Sequence, residues 1–254
     1  MSKKALLILV ALSLVLALAL PTPSADRSLV RVRGAGVIKV GMDVNELPWA
    51  GLDLDTGKYI GFEVELAGLL AKRLGVKLEI VSLTWASLPN ALLEGKFDVV
   101  GNAWTPEPET EKTIGWSKPY FEWGLMIAVR KNNNTIRGVE DLRGKVVGRY
   151  DDPTTEDIVR AIPGLKELKT YTTSDDGYAA LKSGKIDAFI YDSVALLYVA
   201  KEDPTIKVVG RRLNTSTYNY GVRKADAELL KAVDSALVQI LSSKEYKDIV
   251  SHWQ

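Results

Sequence analysis

The chain carries one pattern twice, first as Ala91-Leu92-Leu93-Glu94-Gly95-Lys96-Phe97-Asp98 and again as Ala180-Leu181-Lys182-Ser183-Gly184-Lys185-Ile186-Asp187. The shared sequence is Ala-Leu-x-x-Gly-Lys-apolar-Asp, which is typical of a helix end, a glycine stop and the start of a strand. A predicted strand precedes each copy and an apolar strand follows it. Two similar α/β units about ninety residues apart predict a chain built from two similar lobes.

Short apolar runs around the two copies alternate with stretches of helical spacing, which predicts α/β layers with largely parallel sheets. In the first half, strands are predicted at 37–40, 78–81 and 97–100, with helices at 62–74 and just before 93. In the second half, strands are predicted at 126–129, 146–149, 169–172, 186–190 and 207–209, with helices at 155–162, 175–182 and 194–202. An amphipathic helix at 227–241 and a shorter one at 246–253 end the chain.

The N-terminus has the layout of a secretory signal. Lys3 and Lys4 precede an unbroken apolar run over 5–20, and small residues around Ser24 and Ala25 follow. Residues 1–25 are therefore predicted to be a signal peptide, or an N-terminal anchor if they are not cleaved. In either case the rest of the chain is predicted to be extracytoplasmic, in the periplasm or at the cell surface. No later run has the ~20 apolar residues that span a bilayer, so this exported body is predicted to be soluble.

Composition argues against several classes of function. The net charge is +1, with no long basic run, so no nucleic acid partner is expected. The chain has no cysteine and one histidine, His252, and it lacks the motifs of metalloproteases, serine hydrolases and phosphate-binding loops. We therefore expect a protein that is not an enzyme and uses no metal or cofactor. A dehydratase-like enzyme, with Glu46 as an acid, and a ligand-sensing module remain the alternatives.

Ligands of open α/β sheets bind beyond the carboxyl ends of the strands, and in two facing lobes these ends can line one cleft. The predicted ligand-binding residues from this argument are Asp43, Glu46, Trp49, Trp85, Asn102, Ala103, Trp104, Thr105, Tyr150, Thr154 and Asp192. The wider set of residues after strands adds Asn45, Pro48, Thr84, Asp151, Asp152, Thr155, Thr173, Ser174, Tyr191 and Ser193.

This set is acidic, aromatic and rich in hydroxyls. Carboxylates bind an ammonium group through charge-assisted hydrogen bonds, and tryptophan faces add a cation–π attraction. Each residue also has a structural alternative: loop capping for Asp43 and Asp192, core filling for Trp49 and Trp85, and helix capping for Thr154. The sequence therefore predicts a cleft for a small polar or cationic solute.

The chain resembles the extracellular solute-binding proteins of family 3, which serve ABC importers of polar amino acids. The resemblance runs from about Gly36 to the end. Its motifs are Val40-Gly41-Met42-Asp43, Gly61-Phe62-Glu63-Val64-Glu65-Leu66, Leu92-x-x-Gly95-x-Phe97-Asp98-Val99, Ser117-Lys118-Pro119-Tyr120, Leu142-Arg143-Gly144-Lys145-Val146-Val147-Gly148, Ile186-Asp187-Ala188-x-x-x-Asp192-Ser193, Tyr246-Lys247-Asp248-Ile249 and Trp253.

The resemblance implies a type II periplasmic binding protein fold, in which two Rossmann-like lobes are joined by a hinge of two strands and close over an interlobe cleft. It places lobe 1 at 34–123 and 221–254, lobe 2 at 124–220, and the crossings near 121–126 and 218–222. It also implies a monomer whose partners are the membrane permease subunits of an ABC importer.

By the same resemblance, Asp43 is the acid of lobe 1 at the mouth of the cleft, Trp85 stacks on the ligand, and Asp192 takes its α-ammonium. Asn102, Ala103 and Thr105 match a segment that offers backbone and hydroxyl contacts, and Thr154 matches a threonine at a helix start.

Two departures from the family pattern bear on the ligand. Thr110 stands where the family has an arginine for the ligand's α-carboxylate, so Arg149 is the candidate substitute. Glu46 replaces an expected aromatic residue. The loss of a guanidinium and the gain of an acid make a cationic or amine ligand an alternative to an ordinary amino acid.

Overall fold

The computed structural model describes residues 26–253, so the predicted signal segment 1–25 lies outside the described residues. The helices are α1 Ser28–Ala35, α2 Phe62–Leu74, α3 Leu88–Leu93, α4 Pro153–Arg160, α5 Ser174–Ser183, α6 Ser193–Glu202, α7 Ala227–Leu241 and α8 Lys244–Trp253. The strands are β1 Val37–Met42, β2 Gly51–Asp53, β3 Lys58–Ile60, β4 Lys77–Ser82, β5 Val99–Val100, β6 Ile114–Trp116, β7 Phe121–Trp123, β8 Leu125–Arg130, β9 Val146–Tyr150, β10 Glu167–Tyr171, β11 Ala188–Asp192, β12 Ile206–Val209, β13 Ser216–Tyr218 and β14 Gly221–Arg223. No helix among these residues is long and apolar enough to cross a membrane.

Two five-stranded sheets have the same topology. Their strand orders are β4-β1-β5-β14-β6 and β10-β9-β11-β8-β12. The second strands of these orders, β1 and β9, each pair in parallel with both neighbours. The prediction of largely parallel sheets is confirmed, with one exception in each sheet: β14 and β8 run antiparallel to both of their neighbours. These are the strands by which the chain enters each sheet from the segment that joins the two sheets, so they run against the rest.

A two-stranded ribbon connects the sheets. Strand β7 leads into β8 of the second sheet, and the returning strand β13 leads back to β14 of the first; β7 and β13 pair antiparallel, with Phe121 opposite Tyr218. The ring of Tyr218 stacks on those of Phe121 and Trp123, with centroids 6.0 and 5.5 Å away. The returning strand runs from Ser216 to Tyr218 and residues 221–223 belong to the first sheet, so the return begins two residues before the range 218–222 expected from the resemblance and overlaps it.

The repeated sequence pattern forms the same structure in both lobes. Asp98 and Asp187, the last residues of the two copies, each accept a backbone N–H from the equivalent strand of their sheet, β1 or β9. The donors are Lys39, at 3.0 Å, and Val146, at 2.9 Å. Each aspartate therefore ties the turn after a helix to that parallel strand.

An arginine at the end of each antiparallel strand completes this match. Arg223 of β14 and Arg130 of β8 each donate from Nη1 to two carbonyl oxygens that flank the glycine stop. The acceptors are Leu92 and Phe97 for Arg223, at 2.9 and 2.6 Å, and Leu181 and Ile186 for Arg130, at 2.7 and 2.8 Å. The two copies of the repeated sequence therefore make equivalent hydrogen bonds in the two lobes.

A glycine in β1 and another in β9 leave room for the apolar residue of each repeat. A Cβ atom on Gly41 of β1 would lie 2.4 Å from the ring of Phe97, and one on Gly148 of β9 would lie 2.5 Å from Ile186. Real Cβ contacts are not this short, so a side chain at either position would displace the core beneath the sheet. The buried cores thereby bring the carboxyl ends of β1, β5, β9 and β11 to the surfaces where the candidate site lies.

Candidate functional site

Asp43 joins the three loops that follow strands of the first sheet. Its backbone N–H donates to Asn102 Oδ1 at 2.8 Å, and its Oδ2 accepts the backbone N–H of Trp85 at 2.9 Å. Its Oδ1 accepts two donors from Asn45, at 3.2 and 2.6 Å. The structure therefore brings Asp43, Trp85 and Asn102 together, and the loop-capping alternative for Asp43 describes its contacts.

The segment after β5 has an unusual backbone. Asn102 and Ala103 have φ angles of 82° and 56°, a left-handed conformation that is uncommon outside glycine. The N–H of Ala103 donates to Glu63 Oε1 at 3.0 Å, and the hydroxyl of Tyr120 donates to the same oxygen at 2.5 Å. Hydrogen bonds to buried acceptors hold the strained segment in place.

Sequence reasoning quoted Glu63 only within a motif and missed its position beneath the site. Its side chain is fully buried, and this burial raises its pKa to about 7. The sequence did contain an indication of this burial, because Glu63 lies three residues before Leu66 and seven before Leu70, on the apolar face of α2. An acidic residue on the apolar face of a helix is expected to be buried.

Three tryptophan rings form a stack at the first lobe. Trp85 lies over Trp104 with centroids 4.3 Å apart and planes at 14°, and Trp104 lies 6.1 Å from Trp116. Trp104 is buried, whereas Trp85, for which core filling was the structural alternative, is 43% exposed. The outer face of Trp85 is the part of this stack that can meet a solute.

Glu46 joins the two lobes directly. Its Oε1 accepts the hydroxyl of Ser174, at the start of α5, at 2.6 Å and the hydroxyl of Tyr191, in β11, at 2.9 Å. The ring of Tyr191 also contacts Tyr150, with centroids 4.9 Å apart, and meets Trp49 edge-on at 6.2 Å. Three predicted residues, Glu46, Trp49 and Tyr150, thus meet around Tyr191, which sequence reasoning placed only in the wider set.

Asp192 ends β11 and caps helix α6. Its Oδ1 accepts the N–H of Val194 at 2.6 Å, and its Oδ2 accepts the hydroxyl of Tyr218, in the ribbon between the lobes. Burial raises the pKa of Asp192 to about 7, and the negative charge of Glu46 adds to this shift. The contact with Tyr218 was not foreseen, since the sequence gives no sign of which aromatic residue faces this carboxylate.

Three predicted threonines differ in their settings. Thr105 Oγ1 donates to the carbonyl of Thr217 at 3.1 Å and accepts Trp123 Nε1 at 3.0 Å, so it faces the ribbon between the lobes. Thr110 closes a local turn through Oγ1, with the N–H and carbonyl of Glu107. Thr154 lies in the first turn of α4.

Arg149 does not replace the missing arginine. Its buried guanidinium donates to the carbonyls of Tyr150 and Asp152 and to the carboxylate of Asp151, at 3.1–3.4 Å, with Glu156 at 3.3 Å. All of these partners lie within seven residues of it along the chain. Arg149 therefore stabilises the turn between β9 and α4, where its charge is paired with Asp151 and Glu156.

Carboxylates of the two lobes influence one another electrostatically: Glu46 interacts with Asp175, Asp43 and Asp192, and Glu107 interacts with Asp152. Among residues 26–253, Asp43, Glu46, Glu107 and Asp192 form no ion pair with lysine or arginine. Burial raises the pKa of Glu46, and the charges of Asp175 and Asp43 raise it further. Burial and Asp152 likewise raise the pKa of Glu107. A negative, partly buried site of this kind attracts a positively charged solute.

Comparison with known proteins gives the family. The family model of bacterial extracellular solute-binding proteins, family 3, matches residues 38–254. The chain is 30% identical over 255 aligned residues to the L-cystine-binding protein TcyJ of Escherichia coli K12, an alignment that covers all of this chain and 96% of that protein.

Solved structures agree. An ancestral cationic amino acid solute-binding protein, AncCDT-1, is 33% identical with a TM-score of 0.79, over 89% of this chain and 99% of that one. The P235GK mutant of ArgBP from T. maritima is 31% identical with a TM-score of 0.73, over 89% and 98% of the two chains. The resemblance in the sequence and the predicted two-lobed α/β fold are confirmed. The chain is therefore a member of the extracellular solute-binding proteins of family 3, with the type II periplasmic binding protein fold.

Proposed function

We propose that this protein is the extracytoplasmic binding component of an ABC importer for amino acids or related amines, and that it captures a small cationic solute. The observation that carries the proposal is the set of carboxylates from both lobes, Asp43, Glu46, Glu107 and Asp192, which have no lysine or arginine partner among the described residues. Two relatives support a cationic solute, since they are named as an arginine-binding protein and a cationic amino acid solute-binding protein.

We infer that the lobes are 34–123 with 221–254, and 124–220. Sheet membership supports this division, because β1, β4, β5, β6 and β14 form one sheet and β8–β12 form the other. A solute that touches Glu46 on one lobe and Asp192 on the other binds the closed form better than the open one. Only this difference in affinity drives closure.

The other predicted residues have supporting roles in this proposal. The exposed face of Trp85 adds a cation–π attraction of ~0.5–2 kcal/mol, and Asn102, Ala103 and Thr105 shape the wall beside it. Thr110 and Thr154 stay predictions as ligand contacts. The protein acts as a monomer and delivers its solute to permease subunits outside the cytoplasm, as the names of transporter-binding relatives support.

Isothermal titration calorimetry tests the solute class. We expect the purified protein to bind solutes that carry a positive group, such as arginine, lysine, agmatine or a short diamine, and to give no heat with glutamate at the same concentration. Because the site has carboxylates and no free guanidinium, a second carboxylate on the solute is repelled. Tight binding of glutamate, with all cationic solutes inert, would overturn the proposal.

The dehydratase-like alternative has its own readout. Carboxylates with raised pKa values, as at Asp192, are also what proton-transfer catalysis uses. We propose binding without catalysis, and therefore expect prephenate-like and arogenate-like compounds to be recovered unchanged after incubation with the protein. Release of an aromatic product, followed by absorbance and absent in Asp192→Asn, would assign an enzyme instead.

A further inference from the structure

We infer that Glu46 couples cation binding to lobe closure: it links the lobes through Ser174 and Tyr191, and its charge selects the cation. The link between the lobes stands on the structure alone, whereas the selection of a cation rests on the proposed function. The two parts can therefore fail separately.

The backbone around Glu46 is fixed. Its N–H donates to the carbonyl of Ala50 at 3.0 Å, and the N–H of Ala50 donates back to the carbonyl of Glu46 at 3.0 Å. Trp49, in the same loop, is buried against Tyr191. A side chain on so short and closed a loop has little freedom to follow the second lobe when that lobe moves away.

The two donors to Glu46 come from different elements of the second lobe. Ser174 begins α5, whose first turn is capped by Thr173 through the N–H of Asp176. Tyr191 is buried in β11, directly before Asp192, with its ring against Tyr150 and Phe189. Opening the lobes breaks both hydrogen bonds to Glu46, so this one carboxylate opposes opening in the absence of a solute.

The second oxygen of the Glu46 carboxylate, Oε2, is available to bind a solute. Both donors use Oε1, and among the described side chains, which do not include those of residues 153 and 154, no donor reaches Oε2. The carboxylates of Asp175 and Asp43, one from each lobe, act electrostatically on Glu46. A cation that binds Oε2 is therefore attracted by three acids, and it removes the repulsion between them when the lobes are closed.

Two variants separate the link from the charge. Glu46→Gln keeps an oxygen that accepts from Ser174 and Tyr191 but removes the negative charge. The double variant Ser174→Ala/Tyr191→Phe keeps the charge and removes both donors. Ser183→Ala/Tyr171→Phe is the matched control, because it makes the same chemical changes at the other end of α5 and on β10, the edge strand of the same sheet.

Lobe separation is measured by fluorescence energy transfer between dyes on Lys96→Cys and Lys185→Cys, equivalent exposed positions of the two repeats; the chain has no other cysteine. Without solute, we expect Glu46→Gln and the control to keep the wild-type dye distance, and the donor-less double variant to shift toward an open form. With arginine or agmatine, we expect Glu46→Gln to lose at least about tenfold in affinity, and the double variant still to bind and close.

Each outcome decides one statement. A solute-free dye distance in the donor-less variant equal to that of the control would overturn the link between the lobes. Cation affinity in Glu46→Gln equal to wild type would overturn the selection by charge. If the wild-type protein binds no cation at all, the proposed function fails, while the solute-free dye distances still report on the link.

Discussion

At the scale of single residues, Asp192 performs two tasks that a sequence motif cannot separate. It caps α6 through the N–H of Val194 and accepts the hydroxyl of Tyr218 from the ribbon between the lobes. A carboxylate in these contacts has its position fixed before any solute arrives. Its charge, in contrast, is not balanced by any lysine or arginine among the described residues.

Replacement of Asp192 by asparagine should weaken cation binding by about 2–5 kcal/mol, because it leaves a buried ammonium group without its counter-charge. Asparagine is itself a good helix cap, so α6 should keep its stability. Calorimetry with the best cationic solute measures the loss. Asp203→Asn, at the other end of α6, is the control and should bind as wild type. Unchanged affinity in Asp192→Asn would remove this residue from the site.

The affinity for a cation should rise with pH between about pH 5.5 and 8. Burial raises the pKa of Asp192 to about 7, with Tyr218 and the Val194 N–H as hydrogen-bond partners and Glu46 as the neighbouring charge. Below this pKa the carboxyl is neutral, so cation binding must first release a proton and is weakened. Calorimetry at several pH values shows the trend, and Asp192→Asn should flatten it. An affinity that is constant over this range contradicts the assignment.

Glu63 should make the fold less stable as pH rises. Its pKa is raised from 4.5 to about 7 by complete burial, so the folded state holds the proton more tightly than the unfolded state does. This stabilisation is full below about pH 4.5 and is lost as pH rises through 7, a change of up to about 3 kcal/mol.

Glu63→Gln keeps an oxygen for the N–H of Ala103 and the hydroxyl of Tyr120 but has no such titration. Relative to wild type, its free energy of unfolding in urea should therefore increase between pH 5 and pH 8. A difference between the two proteins that does not change with pH would show that Glu63 is not the titrating group.

At the scale of elements, every predicted strand overlaps an observed one, whereas the strands of three residues were not predicted. Helix α7 has the predicted bounds, since a long amphipathic stripe defines both of its ends. The strand expected at 97–100 is reduced to Val99–Val100, because Phe97 fills the space over Gly41 and Asp98 binds the backbone of β1. Strands of three residues, such as β6, β13 and β14, are too short to show an alternating pattern.

The candidate site likewise has a part that the sequence could predict and a part that it could not. Asp43, Glu46 and Asp192 lie at or just after strand ends and were predicted as site residues from that position. Which residues of one lobe meet those of the other depends on the ribbon β7–β13, and no local pattern encodes it. For this reason the contact of Glu46 with Ser174 and Tyr191 had to come from the structure.

Removing the paired arginines tests the repeat as a structural unit. Arg130→Ala strips Leu181 and Ile186 of a shared donor and should cost about 1–3 kcal/mol of unfolding free energy. Arg223→Ala should cost more, because Arg223 also pairs with Asp226 at 2.5 Å. Urea unfolding of each variant measures both losses. Negligible losses would mean that the contacts with the carbonyls are incidental, and equal losses would mean that the pair with Asp226 adds no stability.

At the scale of the whole molecule, the ribbon and the site are mechanically joined. Tyr218 stacks between Phe121 and Trp123 in the ribbon and hydrogen-bonds the carboxylate of Asp192, while Thr105 joins the first lobe to the same ribbon. Motion of the lobes therefore changes the surroundings of the groups that hold the solute. We therefore expect solute binding and lobe closure to be coupled.

The stack of Trp85 on Trp104 gives this event an optical signature. Two indoles 4.3 Å apart and nearly parallel share their excited states, and the exposed ring of the pair lies beside Asp43. A cation laid on that ring should alter the intrinsic emission of the protein and its near-ultraviolet circular dichroism, in proportion to occupancy. Trp85→Leu should abolish the change while calorimetry still detects binding, and a signal that survives this substitution would point to another chromophore. The protein would thus serve as a label-free sensor of its own solute.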